Sequence, residues 1–224
     1  MKIYSLILIF LLFFTDASYA VFKLKNGDII FQDLDGSPLV EAIEKVTVGF
    51  RNCKFAHIGI IYIDKAGKTM VIESIPEAGV CLSQLDSFLK RSSDSSGRPK
   101  CAVGRLKKNY SQYISSAISR ALSMIGMKYD RAFLINNDSI YCAELIWRCY
   151  LYEDDSHIFK LAPMTFKDPD TGSFFKPWLE YYKTLALPIP EGKPGINPGL
   201  ISTSDVLDIY FPYGLPDGYT LEGN

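Results

Sequence analysis

The residues best suited to chemistry lie in one short stretch, Ser139-Ile140-Tyr141-Cys142-Ala143-Glu144-Leu145, where a cysteine opens an amphipathic segment. Apolar or sulfur-bearing residues recur at 142, 145, 146, 149 and 150, the period of a helix running from Cys142 to about Tyr152. Asp138 and Ser139 stand just ahead as candidate caps. A thiol in the first turn of a helix meets unpaired N–H groups and partial positive charge. Both lower its pKa, and the N–H groups can also hold an oxyanion. Such a thiolate needs a base, and the chain has two histidines, His57 and His157. His157 ends the polar run Glu153-Asp154-Asp155-Ser156-His157, which reads as a solvated loop. His57 opens a run dense in Ile and Tyr that reads as a buried strand, a rigid mount for a base. The plain alternative for Cys142 is a buried structural thiol.

Turn arithmetic bears on a third group. If Lys65-Ala66-Gly67 is a three-residue hairpin loop with Gly67 left-handed, residue 64 pairs with residue 68. Residue 59 then faces Glu73, and His57 and Glu73 share one face of the ribbon on a diagonal that a long side chain can cross. Glu73 would orient the imidazole and stabilise its charged form. A two-residue turn would instead put His57 and Glu73 on opposite faces, and Glu73 would be a surface carboxylate.

The elements that must position these residues form an α+β pattern. Strands are expected at 28–32, 57–63, 69–75, 101–106 and about 206–211, and helices at about 38–48, 83–90, 110–125 and 142–152. Gly126 stops the third helix, 91–100 is a Ser-rich loop, and the Pro/Gly-rich stretch 188–198 wraps the surface. Trp147 and Trp178 read as core. Lys90-Arg91 and Lys107-Lys108 read as solvated ends of elements. Phe174, Phe175 and Trp178 suit either a groove rim or helix packing. There are no internal repeats and no interdomain linker.

Composition narrows the class. The 224 residues carry 24 basic and 25 acidic side chains, a formal net charge of −1, so no bulk field favours nucleic acid. With 48% hydrophobic and 22% charged residues, the chain is not intrinsically disordered. Lys2, the nine-residue apolar run Leu6–Phe14 and the small residues Ser18 and Ala20 form a signal-peptide pattern over 1–20, leaving 21–224 as one domain. The run falls short of the roughly 18 residues a membrane span needs, so an uncleaved anchor is the lesser reading. Export, to a periplasm or the medium, makes five cysteines informative. Cys53, Cys81, Cys101, Cys142 and Cys149 are odd in number, and Cys142 and Cys149 on one helix would lie about 10 Å apart, so at least one thiol stays free. There is no CxxC pair, and two histidines leave little stock for zinc. Phosphate-loop, dinucleotide, GxSxG and HExxH motifs are all missing, and nothing calls for a cofactor or a metal.

The series Gly27-Asp28-Ile29-Ile30-Phe31-Gln32, Phe55-Ala56-His57-Ile58-Gly59-Ile60, Val71-Ile72-Glu73-Ser74, Gly126-Met127-Lys128-Tyr129-Asp130 and Tyr141-Cys142-Ala143-Glu144-Leu145 resembles the YiiX/YebB-like hydrolases. These belong to the circularly permuted NlpC-type papain-like superfamily, in which the catalytic His precedes the catalytic Cys. The likeness runs from about residue 22 to 211. It implies a small antiparallel sheet or barrel packed against helices, with Cys142 at a helix N-terminus as nucleophile, His57 as base and Glu73 as polar third member. Ala143 departs from the pattern, where Ser is expected, without consequence for the chemistry. The implied reaction is thiol acyl transfer, with Tyr141 lining the substrate site unless it is a core residue. The expected partner is a peptide or acyl-containing small substrate, a cell-wall peptide amide first among them. A lipid acyl hydrolase or acyltransferase of the lecithin retinol acyltransferase-like type is the alternative, and a catalytically silent ligand-binding module a further one.

Overall fold

Asp64-Lys65-Ala66-Gly67-Lys68 closes as a three-residue loop. Gly67 is left-handed (φ 83°), its N–H donates to Asp64 O, and Asp64 N–H donates to Lys68 O. Asp64 Oδ1 accepts from the N–H groups of Ala66 and Lys68, locking the turn. The register it sets pairs Gly59 with Glu73 and Ile61 with Val71.

The computed structural model describes residues 22–135 and 137–221, so the expected signal peptide lies outside the described residues. In chain order the elements are β1 (Ile29–Gln32), α1 (Pro38–Val46), β2 (His57–Ile63), β3 (Thr69–Ile75), β4 (Gly79–Gln84), α2 (Leu85–Leu89), β5 (Cys101–Leu106), α3 (Ile114–Ser123), α4 (Cys142–Cys149), β6 (Ala162–Pro163), α5 (Lys176–Leu185), β7 (Pro194–Gly195), α6 (Pro198–Ser202) and β8 (Leu207–Tyr210). Six strands form one antiparallel sheet in the order β4-β3-β2-β1-β5-β8, while β6 and β7 pair separately.

Alternation along the central strands divides the core. Ile29 and Phe31 of β1, Ile58 and Ile60 of β2 and Ile72 of β3 face one side, where α3 and α4 cover them. Ile30, Ile61 and Val71 face the other side with Phe88 of α2. A third cluster joins α1 to α5 through Ala42, Phe166, Trp178 and Tyr182. Ser37 caps α1 by accepting from Val40 N–H, with Pro38 in its first turn.

Several boundaries differ from the sequence expectation. Residues 79–84 form an edge strand ahead of a helix only five residues long, and 108–113 is a 3₁₀ turn leading into α3. Helix α4 stops at Cys149 because Tyr150 turns extended and donates its hydroxyl to Gly27 O. Helices α5 and α6 occupy stretches with no helix expected, α6 being capped by Asn197.

Candidate active site

His57 is the first residue of β2 and Glu73 lies on β3, on the sheet face that carries Ile61, Val71 and Phe88. The diagonal between them is closed: His57 Nε2 lies 2.6 Å from Glu73 Oε2, with Glu73 wholly buried and His57 nearly so. Gly59, directly opposite Glu73, keeps the diagonal open. A Cβ there would sit 2.5 Å from Val71 Cγ1 and 3.1 Å from Ile72 O.

Cys142 arrives from the opposite face. It is the first residue of α4, whose N-cap is Tyr141 in extended conformation. The expected caps do not cap. Ile140 N–H donates to Lys128 O and Ser139 Oγ donates to Asn137 Oδ1, so the chain stays extended until Tyr141 and the helix begins at Cys142, as its period predicts. No side chain caps the first turn of α4, which leaves its N–H groups at the cleft. The turn is braced from behind, where wholly buried Glu144 takes both Nε (2.9 Å) and Nη2 (2.7 Å) of Arg148 at one carboxylate oxygen. Arg148 Nη2 also donates to Asn137 O, tying the approach loop to the helix. Asp130 holds the start of that loop by accepting from Ala132 N–H, Leu134 N–H and Asn137 Nδ2.

Cys142 is close enough to His57 to raise its pKa, so sulfur, imidazole and carboxylate stand in line. That line continues to a residue read from sequence as solvated. Arg91, just past α2, forks onto Glu73 with Nη1–Oε2 and Nη2–Oε1 both at 2.6 Å. The Arg91 guanidinium also lies over the Phe88 ring, 5.1 Å from its centroid. Burial disfavours the charged form of His57, but the contacts to Cys142 and Glu73 outweigh it and raise the imidazole to about 9. Burial likewise pushes the Glu73 carboxyl up, and the hydrogen bonds from His57 and Arg91 overcome it and bring it down to about 2.

Two cavities meet at Cys142. One is lined by His57, Arg91 and Arg131 together with Ile43, Glu77 and Tyr129. The other is largely apolar, walled by Ile43 and Val46 of α1 and by Phe133, Tyr141, Phe166 and Trp178. Tyr141 turns its ring to this cavity while its hydroxyl accepts from Ile196 N–H at 3.1 Å. Tyr129, part of the quoted GxxYD element but not singled out as a site residue, lines both cavities. Its ring contact with Phe133 belongs to an aromatic chain running through Trp178 to Phe166.

The remaining candidates fall away from the cleft. His157 is not solvated. It stacks on Trp147 at 3.6 Å, with Nδ1 2.9 Å from Trp147 O, and does structural work. All five cysteines are free, and burial pushes Cys53, Cys101 and Cys149 up to about 12. Among the described residues one acidic cluster, Asp33, Asp35 and Asp217, has the spacing for a cation. Lys100 Nζ already occupies it, at 3.3, 2.6 and 3.1 Å from the three carboxylates.

Comparison with known proteins places the fold and the family. The crystal structure of metalloprotein YiiX from Escherichia coli O157:H7 matches with a TM-score of 0.66 at 20% identity, covering 86% of this chain and 98% of that one. At that identity the likeness speaks for the fold. No curated protein matches. The family model described as "permuted papain-like amidase enzyme, YaeF/YiiX, C92 family" matches residues 23–209. The chain therefore belongs to the YaeF/YiiX family of permuted papain-like cysteine amidases.

Proposed function

We propose that the protein is an exported cysteine amidase in which Cys142 attacks the substrate carbonyl, His57 carries the proton and Glu73 orients His57. One observation carries this reading: Cys142 sits at the junction of two cavities beside His57, which is itself hydrogen-bonded to buried Glu73. With His57 raised to about 9, the imidazole can hold through neutral pH the proton it draws from Cys142 as the sulfur attacks. Attack places the oxyanion near the uncapped first-turn N–H groups of α4. Imidazolium protonates the leaving amine, then takes a proton from the water that resolves the thioester. The acidic cluster around Lys100 does not fit a resident metal, because an ammonium already sits among its three carboxylates, and no step is routed through one.

A cell-wall peptide amide is the substrate favoured by an amidase family and an export signal. A second reading has its own support. The largely apolar cavity beside Cys142 suits an acyl chain, which favours a lipid-type acyl substrate, with Tyr141 as part of its wall.

The test uses the mature protein and iodoacetamide. Cys142 is expected to label fastest of the five thiols, and His57→Ala to slow it sharply. Equal labelling of Cys142 and Cys149, with no effect of His57→Ala, would leave a silent binding module instead. Product analysis on peptidoglycan fragments and on N-acyl lipids then separates the two substrate readings. Mass spectrometry of the secreted chain is expected to give an N-terminus at Val21, and an intact Met1 would overturn export by cleavage.

A further inference from the structure

Glu73 is wholly buried and carries a full charge between two cations of different character. On one side is His57, which must gain and lose a proton during turnover. On the other is Arg91, which stays charged throughout. Both carboxylate oxygens are engaged by Arg91, and Oε2 also meets His57 Nε2, so the fork fixes the plane in which Glu73 receives the imidazole. Phe88 completes the frame, its ring 5.7 Å from that of His57 and beneath the Arg91 guanidinium. Gln32 ties this aromatic in place by donating its side-chain N–H to Phe88 O at 2.7 Å.

From these contacts we propose that Arg91 is a positioning residue for the reaction, setting the orientation of Glu73 and the pH at which His57 releases its proton. The inference rests on the assignment of Cys142, His57 and Glu73 above. Arg91 acts through Glu73. Two of its five N–H donors meet the two oxygens of the carboxylate.

The charges around Glu73 bear this out from every element packed on it. His57 approaches from β2 and Cys142 lies beyond it on α4. Cys81 and Ser83 face Glu73 from β4, and Glu77 lies nearer Arg91 and Cys81 in the following turn. Among these groups Arg91 is the permanent cation. Removing it leaves the Glu73 charge opposed by the imidazolium alone, which makes deprotonation of His57 harder. The effect of a charge several ångströms away in a poorly solvated site is roughly one pH unit or more.

The experiment follows the pH dependence of Cys142 alkylation by iodoacetamide, a neutral probe that needs no substrate site, in wild type, Arg91→Gln, Arg91→Lys and His57→Ala. Arg91→Gln is expected to move the upper titration step, where His57 loses its proton, upward by roughly one unit. Arg91→Lys keeps the charge but not the fork. It is expected to hold that step near the wild-type pH while the plateau alkylation rate falls about tenfold. Far-UV circular dichroism checks that each variant folds, and Arg91→Lys stands in if Arg91→Gln does not. An unshifted upper step in a folded Arg91→Gln protein, or a plateau rate for Arg91→Lys equal to wild type, overturns the proposal. If His57→Ala alkylates with the wild-type pH profile, the triad assignment itself fails, an outcome distinct from the first.

Discussion

At the scale of single residues, two neighbouring charges have opposite pH consequences. His57 is raised from about 6.5 to about 9, so its contribution to stability is complete below about 6.5 and lost as pH climbs through about 9. Glu73 is lowered from about 4.5 to about 2, so its contribution is complete above about 4.5 and lost as pH falls through about 2. Because imidazolium must protonate the leaving group, kcat/KM is expected to fall above about pH 9, as a rate profile on any cleaved amide would register. An alkaline limb near pH 6.5 would contradict the His57–Glu73 geometry. Glu73→Gln keeps the shape but loses the charge, and is expected to lower kcat roughly 10²–10⁴-fold and draw that limb downward. The His57–Glu73 contact was legible because loop length sets register, and register decides which side chains share a face. Arg91 was not legible. A Lys-Arg pair after a short helix looks like any solvated helix end, and its partner lies 18 residues earlier on another strand.

At the scale of elements, Gly59 shows how a backbone choice serves the site. With no side chain it lets β2 and β3 pack at the point where His57 reaches across to Glu73. Gly59→Ala is expected to cost about 1–3 kcal/mol through overpacking against Val71, read as a lower urea midpoint with unchanged slope. It should also slow Cys142 alkylation by disturbing the imidazole. A variant as stable as wild type would show that Val71 can move aside. Strands β2 and β3 were legible to the residue because β-branched residues recur along them on either side of a clear turn. Strand β4 was not, since Gly79 opens it and its outer residues alternate between partly buried and exposed, as an edge strand allows. The first residue of α4, Cys142, was legible, but its caps were misread for a related reason. Asp138 and Ser139 have the composition of caps, but Ser139 sits in a bridge to Lys128, and tertiary pairing overrides the local preference.

At the scale of the whole molecule, the cleft depends on α1 keeping its distance from the sheet, because α1 supplies Ile43 and Val46 to its wall. An acidic junction holds the base of that helix. Asp33, just past β1, is buried and accepts from Asp217 N–H at 2.6 Å, with Lys100 Nζ 3.3 Å away. Glu44 of α1 lies against Asp33, so two carboxyl groups crowd one partly buried space. Partial burial, and then the Asp33 charge, push Glu44 up to about 8. An acid raised on folding stabilises most when protonated in both states. This contribution is therefore complete below about pH 4.5 and erodes as pH rises through about 8. Glu44→Gln replaces the carboxyl with a permanent neutral donor and removes the charge that would otherwise develop there. Thermal unfolding between pH 6 and pH 9.5 is expected to show a smaller fall in Tm for Glu44→Gln than for wild type, with the variant the more stable at the alkaline end. His57 loses its stabilising proton in the same alkaline range, but it does so in both proteins, so the difference between the two curves isolates the junction. Parallel curves would mean that Glu44 ionises without opposing α1. The cleft wall would then be held by the aromatic cluster of Phe166, Trp178 and Tyr182 alone.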